Sequence, residues 1–162
     1  MLIKRYGVPL AVSLALYSLL YVLAGDGVPY WNPALLWAVL LSYLIRLCDD
    51  LGDYEADAAA GKAPVGKKTL FALTGLTLLI LILTALLARG WWVLLPAALI
   101  SGTLAVPGKG QWFLKPLFVP TILLSLAATS LRLNIWVYIL SAAMLAGDVL
   151  LICIKEKRHD SR

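Results

Sequence analysis

Apolar residues run through this chain in long blocks, and the polar residues collect in the short stretches between them. The blocks cover residues 9–24, 33–48, 70–87, 92–106, 117–131 and 135–154. Several fall short of the ~20 residues that cross a bilayer upright, so their helices must extend into flanking polar residues or sit in a thinner region. The pattern predicts an all-α protein: a polytopic membrane helix bundle with about six transmembrane helices, forming one domain over residues 1–162. Gly90 and the Arg132-Leu133-Asn134 turn are expected to close hairpins.

Composition sharpens this picture. The chain is 62% hydrophobic and 14% charged, with a mean hydropathy of +0.89, which excludes an ordinary soluble domain. Trp31, Trp91, Trp92 and Trp136 stand near block ends, as interfacial anchors do. With six spans, Lys4, Arg5, Arg46, Lys62, Lys67, Lys68, Lys109, Lys115, Lys155, Lys157, Arg158 and Arg162 share one side, and Arg89 and Arg132 fall opposite. The excess of basic residues places that side, with both termini, in the cytoplasm of a multi-pass protein of the cell membrane. The net charge of +5 therefore reflects topology and anionic lipid headgroups, not nucleic acid. The first block, led by Lys4 and Arg5, also has the look of a secretory signal, but the charge parity works with it retained. Cys48 and Cys153 both fall near the cytoplasmic face, where thiols stay reduced, and with the lone His159 they lack zinc-site spacing.

The chemistry concentrates after the second block. In Cys48-Asp49-Asp50-Leu51-Gly52-Asp53-Tyr54-Glu55-Ala56-Asp57, five acids and no base stand at the mouth of an apolar segment. On a helix, Asp50, Asp53 and Asp57 at i, i+3 and i+7 fall within a narrow arc, and Glu55 points away. Carboxylates that close repel unless they are protonated, paired with bases, or shared by a hard cation such as Mg²⁺ that also holds phosphate oxygens. Asp49 joins the same candidate metal set. A Gly/Pro turn loaded with lysines follows, with Lys62, Lys67 and Lys68, and such ammonium groups can reach the oxygens that a metal leaves uncovered. The plainer alternatives are a solvated acidic loop and positive-inside anchoring by the lysines.

Two further sets of acids come later. Asp148 lies inside the last apolar block, where a carboxylate is a functional candidate, or else a partner in a helix-to-helix hydrogen bond or in a pair with Arg46. Cys153, Glu156 and Asp160 repeat the i, i+3, i+7 spacing at the end of that block, among Lys155, Lys157, Arg158 and His159.

The nine residues from Asp49 to Asp57 resemble the first aspartate-rich pattern, (N/D)DxxDxxxD, of the UbiA-type intramembrane prenyltransferases, and Gly61-Lys62-Ala63-Pro64-Val65-Gly66-Lys67-Lys68-Thr69 is similar to the turn that follows it there. Lys115, in the connection before the fifth block, loosely matches a basic loop of that family. The resemblance implies a Mg²⁺-dependent transfer of an isoprenoid chain from a polyprenyl diphosphate to a lipid or aromatic acceptor. Catalysis would rest on Asp50, Asp53, Asp57, Asp148, Glu156 and Asp160. Metal would be held by Asp49, Asp50, Asp53 and Asp57, and diphosphate by Lys62, Lys67, Lys68 and Lys115. Members of that family carry about nine helices, so a six-helix chain is a truncated version, with a degenerate second motif. That opens three routes: a minimal enzyme, one completed by self-association into a homo-oligomer, or an inactive relative that binds lipid or a partner.

A rival pattern, the DxxDGxxARx₈GxxxDxxxD of CDP-alcohol phosphotransferases, fails after its opening DxxD. Tyr54 replaces its glycine, Ala58 its arginine, and Leu70 and Thr74 its later acids.

Overall fold

The structure, a computed structural model, describes residues 7, 8, 10–12, 14, 15, 17–19, 33–62, 65–106, 114–130 and 135–160, with 129, 130 and 155–160 as backbone alone. Every regular element among them is helical. The turn at 132–134 and the loop at 25–30 lie outside the described residues.

Helix α1, Pro33–Gly52, is the post around which the others pack. Proline at its first position has no N–H to leave unsatisfied and holds φ near the helical value. Ala34, Trp37, Ala38, Leu41, Leu44, Leu47, Cys48 and Leu51 are buried and recur at three- and four-residue spacing, which makes one apolar stripe. The helical ladder continues through Asp53, whose N–H reaches Asp49 O at 3.0 Å while Asp57 N–H reaches Asp53 O at 2.9 Å. The short helix α2, Tyr54–Ala59, is thus a bent continuation of α1. Gly61, at φ 66°, turns the chain out of it in the left-handed region that glycine enters without a Cβ clash.

Helix α3, Lys67–Leu87, returns along α1. Trp37 Nε1 donates to Thr84 Oγ1 at 3.0 Å, so the largest buried side chain of α1 also satisfies its polar edge. The end of α3 fits around the same ring. Arg89 takes a left-handed φ of 54°, Gly90 N–H reaches back to Ala85 O at 2.8 Å, and the chain leaves in a Schellman-type turn. Gly90 lies directly under the Trp37 indole, where a Cβ would come within 2.1 Å of the ring.

The fourth apolar block is helical over Trp91–Ala105 but changes pitch along its length. It divides into a 3₁₀ turn, Trp91–Val93, helix α4, Leu94–Gly102, and a second 3₁₀ turn, Thr103–Ala105. At 1.5 Å per residue α4 is only about 14 Å long. A further 3₁₀ turn, Lys115–Leu117, leads into α5, Phe118–Ser130, which also falls short of a bilayer's width. Helix α6, Ile135–Asp160, packs on α5 and on the Lys115–Leu117 turn. Trp37, Leu41, Leu81, Val93, Ile100, Leu123, Leu126 and Val137 form a core shared by α1, α3, the Trp91–Val93 turn, α4, α5 and α6.

Among the described residues, two helices are long and apolar enough to cross a membrane, Lys67–Leu87 and Ile135–Ile154. Both turn many large apolar side chains outward, including Phe71, Leu76, Leu79, Leu83 and Leu87 on α3 and Ile139, Leu150 and Leu151 on α6. Shorter apolar helical stretches run over Leu10–Leu19, Trp91–Ala105 and Lys115–Ala128.

The contact between Gly90 and Trp37 gives a sharp test. Gly90→Ala is expected to lower stability in detergent by about 1–3 kcal/mol, the usual cost of overpacking a filled site, and to shift Trp37 emission to the red. An unchanged unfolding midpoint would show that the turn gives way freely.

Candidate functional site

The last two turns of α1 carry the chemistry, and their side chains divide between two environments. Asp50 is buried, at 2% exposure, and is held by Arg46 one turn earlier, with Nη2 to Oδ1 at 2.8 Å. A carboxylate that deep keeps its charge only beside a partner of opposite sign. Arg46, weighed from sequence as a partner for Asp148, is thus placed against Asp50. Asp49, the next residue round the helix, faces a cleft instead.

That cleft has a volume of about 290 Å³. One wall is α1, through Ala38, Ser42, Ile45, Arg46 and Asp49; the other is α5, through Val119, Ile122, Leu123 and Leu126; Val12 and Tyr17 complete the lining. It is therefore apolar along its length and polar at the end where Arg46 and Asp49 lie. Lys115, on the turn that opens α5 and outside the lining itself, donates from Nζ to Asp49 at 2.9 Å. The ion pair joins the two walls. Arg46 Nε is buried and has no acceptor among the described residues, so the guanidinium retains hydrogen-bonding capacity beyond the bond to Asp50.

Beyond the cleft, the backbone bonds from Asp53 to Asp49 and from Asp57 to Asp53 put Asp49, Asp53 and Asp57 in one i, i+4, i+8 row. Asp53 is exposed and Asp57 half-buried. Glu55 projects elsewhere and meets Lys67 Nζ at 2.5 Å, and that ammonium also lies 5.7 Å from the Tyr54 ring centroid. A small apolar cluster of Leu47, Leu51 and Leu70, with Tyr54 and Val65 against it, fixes the acidic segment to the start of α3. Lys68 and Lys62 are exposed on either side of the turn.

The structure thus brings Asp49 and Lys115 together, and ties Lys67 to the acid that was expected to point away. Asp148 is half-buried on α6, on the inward stripe with Val137, Ser141 and Met144, and is not among the residues lining the cleft. Glu156 and Asp160 lie on the last turns of α6, and their side chains are outside the described residues. Sequence reasoning passed over Ser42 and the Arg46–Asp50 pair. The signal for the pair was present, since a base four residues before an acid on a helix is a standard partner.

No group of three or more His, Cys, Asp or Glu side chains among the described residues is placed to hold a metal ion. The acids do not fit a preformed protein cage. Mg²⁺ brought by a diphosphate needs only one or two carboxylates, and Asp49 and Asp53, of hard oxygen chemistry and partly open to solvent, can supply them.

Comparison of the chain with protein-family models, with curated proteins and with solved structures gives no match.

The two ion pairs differ enough in burial to separate by mutation. Lys115→Met is expected to change stability by less than about 1 kcal/mol, as for other exposed pairs. Arg46→Met leaves a buried carboxylate without its partner and is expected to cost about 3 kcal/mol. Chemical unfolding in detergent measures both; equal effects would show that Asp50 is not dependent on Arg46.

Proposed function

We propose that this chain is a small integral membrane protein of the UbiA type that binds a polyprenyl diphosphate and transfers its isoprenoid chain to a lipid or aromatic acceptor. The observation that supports this best is the apolar cleft between α1 and α5, which ends at Arg46, Asp49 and Lys115 where the acidic row begins. An isoprenoid chain suits the apolar lining, and a diphosphate suits the polar end. Lys115, with Lys62, Lys67 and Lys68 from the neighbouring turn, would bind the phosphate oxygens and stabilise the pyrophosphate as it leaves. Magnesium, when bound with the diphosphate through Asp49, Asp53 and Asp57, would neutralise oxygens those lysines do not reach. The apolar walls would exclude water from the allylic carbon until an acceptor captures it. Asp148, Glu156 and Asp160 stay candidates for acceptor activation.

A second reading, binding without transfer, is favoured by one specific observation. Asp50, the second acid of the motif, is buried against Arg46 and is thereby removed from metal binding.

Purified protein in nanodiscs, incubated with labelled polyprenyl diphosphates of several lengths and a membrane lipid extract, tests both. Mg²⁺-dependent binding with formation of a prenylated product is expected. Binding with no product would leave the carrier reading, and no binding would remove both. Asp53→Asn should weaken Mg²⁺-dependent binding at least tenfold, about 1.4 kcal/mol, and Glu55→Gln should change it by less than about twofold, the scale of an exposed ion pair.

Membrane insertion with cytoplasmic termini belongs to the same proposal, supported by the two long apolar helices and the distribution of basic residues. In a cysteine-free background, Lys68→Cys is expected to label only from the cytoplasmic side and Arg89→Cys only from the opposite side. The reverse pattern would invert the topology.

A further inference from the structure

We infer that the Asp49–Lys115 ion pair is an exchangeable clasp on the cleft, released when the phosphate head of a single-chain amphiphile takes Lys115 from Asp49. This rests on the reading of the cleft as a lipid-chain site, but on neither transfer nor magnesium.

Four observations carry it. The pair bridges the two walls at the polar end, since Asp49 is on α1 and Lys115 opens α5. Both side chains are well exposed, 43% for Lys115 and 32% for Asp49, and an ion pair so open to solvent biases an equilibrium by at most about fivefold. A phosphate monoester, with up to two charges and three acceptor oxygens, is a stronger partner for an ammonium than one carboxylate. Arg46 lies one turn deeper on the same wall with Nε lacking an acceptor among the described residues, so a second cation stands beside the position the head would occupy. The Arg46–Asp50 pair is the fixed element and the Asp49–Lys115 pair the movable one. The occupant is a single chain because the cleft, at about 290 Å³, is at the small end of ligand pockets.

The clasp predicts an unusual sign for one substitution. Removing the Asp49 charge takes away the competitor for Lys115, so Asp49→Asn should bind an anionic amphiphile more tightly than the parent chain.

The experiment measures binding of dodecyl phosphate and of dodecanol to the full chain in nanodiscs, without Mg²⁺. Asp49→Asn is expected to raise dodecyl phosphate affinity about three- to fivefold, and Lys115→Gln to lower it about tenfold, with dodecanol affinity within twofold throughout. Val119→Phe, which narrows the cleft, is expected to weaken both probes. Inorganic phosphate is expected to compete only at far higher concentration than dodecyl phosphate. The inference is overturned if Asp49→Asn weakens or leaves unchanged the binding of dodecyl phosphate, if both probes respond alike to Lys115→Gln, or if inorganic phosphate competes as well as the amphiphile. Absence of Mg²⁺-dependent prenyl diphosphate binding alongside the expected pattern here would remove the transferase reading and keep the clasp.

Discussion

A carboxylate buried at the end of an apolar helix must be neutralised, and the Arg46–Asp50 pair is how this chain does it. The pair lies within one turn of α1, so its geometry forms as soon as the helix does and needs no distant element to be in place. The rotation of α1 is set by its apolar stripe: with the residues from Ala34 to Leu51 in the core, Asp49 reaches the cleft and Asp50 is buried beside Arg46. Turning α1 by one residue would expose the stripe and carry the Arg46–Asp50 pair with it, at the cost of the apolar burial.

The remaining elements hold that orientation from outside. Trp37 and Gly90 interlock about one turn from the start of α1, and the Leu47, Leu51 and Leu70 cluster grips its other end. Because one grip is on α3 and the other on the turn that follows it, the helix that bears the acids is fixed to that neighbour at both ends. The cleft opens between α1 and α5. Only an exposed ion pair joins the walls at the polar end, so that is where the molecule gives most easily.

The helical class and the positions of the apolar segments were legible in the sequence, because blocks of apolar residues admit few other structures at this length. The changes of pitch along the fourth block were not. The first of them has a tertiary setting, since the chain leaves α3 beneath the Trp37 ring at Gly90 and begins α4 within a few residues. At the site, the spacing of Asp50, Asp53 and Asp57 suggested one shared arc, but spacing does not say which acid the core will claim. Arg46 settles that for Asp50. The link from Asp49 to Lys115 crosses 66 residues of sequence and follows from packing, so no local pattern could announce it. The family resemblance rests on the acidic run and the turn after it, of which Asp49 lines the cleft.

Ion pairing also governs how such a site would respond to ligands. Acids of the run are held by bases: Asp49 by Lys115, Asp50 by Arg46 and Glu55 by Lys67. An anion that recruits Lys115 leaves the Asp49 carboxylate open to a cation, and a cation on Asp49 releases Lys115 to an anion. Linkage makes the two effects equal in free energy. Magnesium and diphosphate would therefore promote each other's binding through this single contact, even if they never touched, and each alone would have to displace the pair unaided. The size of such coupling is bounded by the strength of the exposed Asp49–Lys115 pair, about fivefold in affinity.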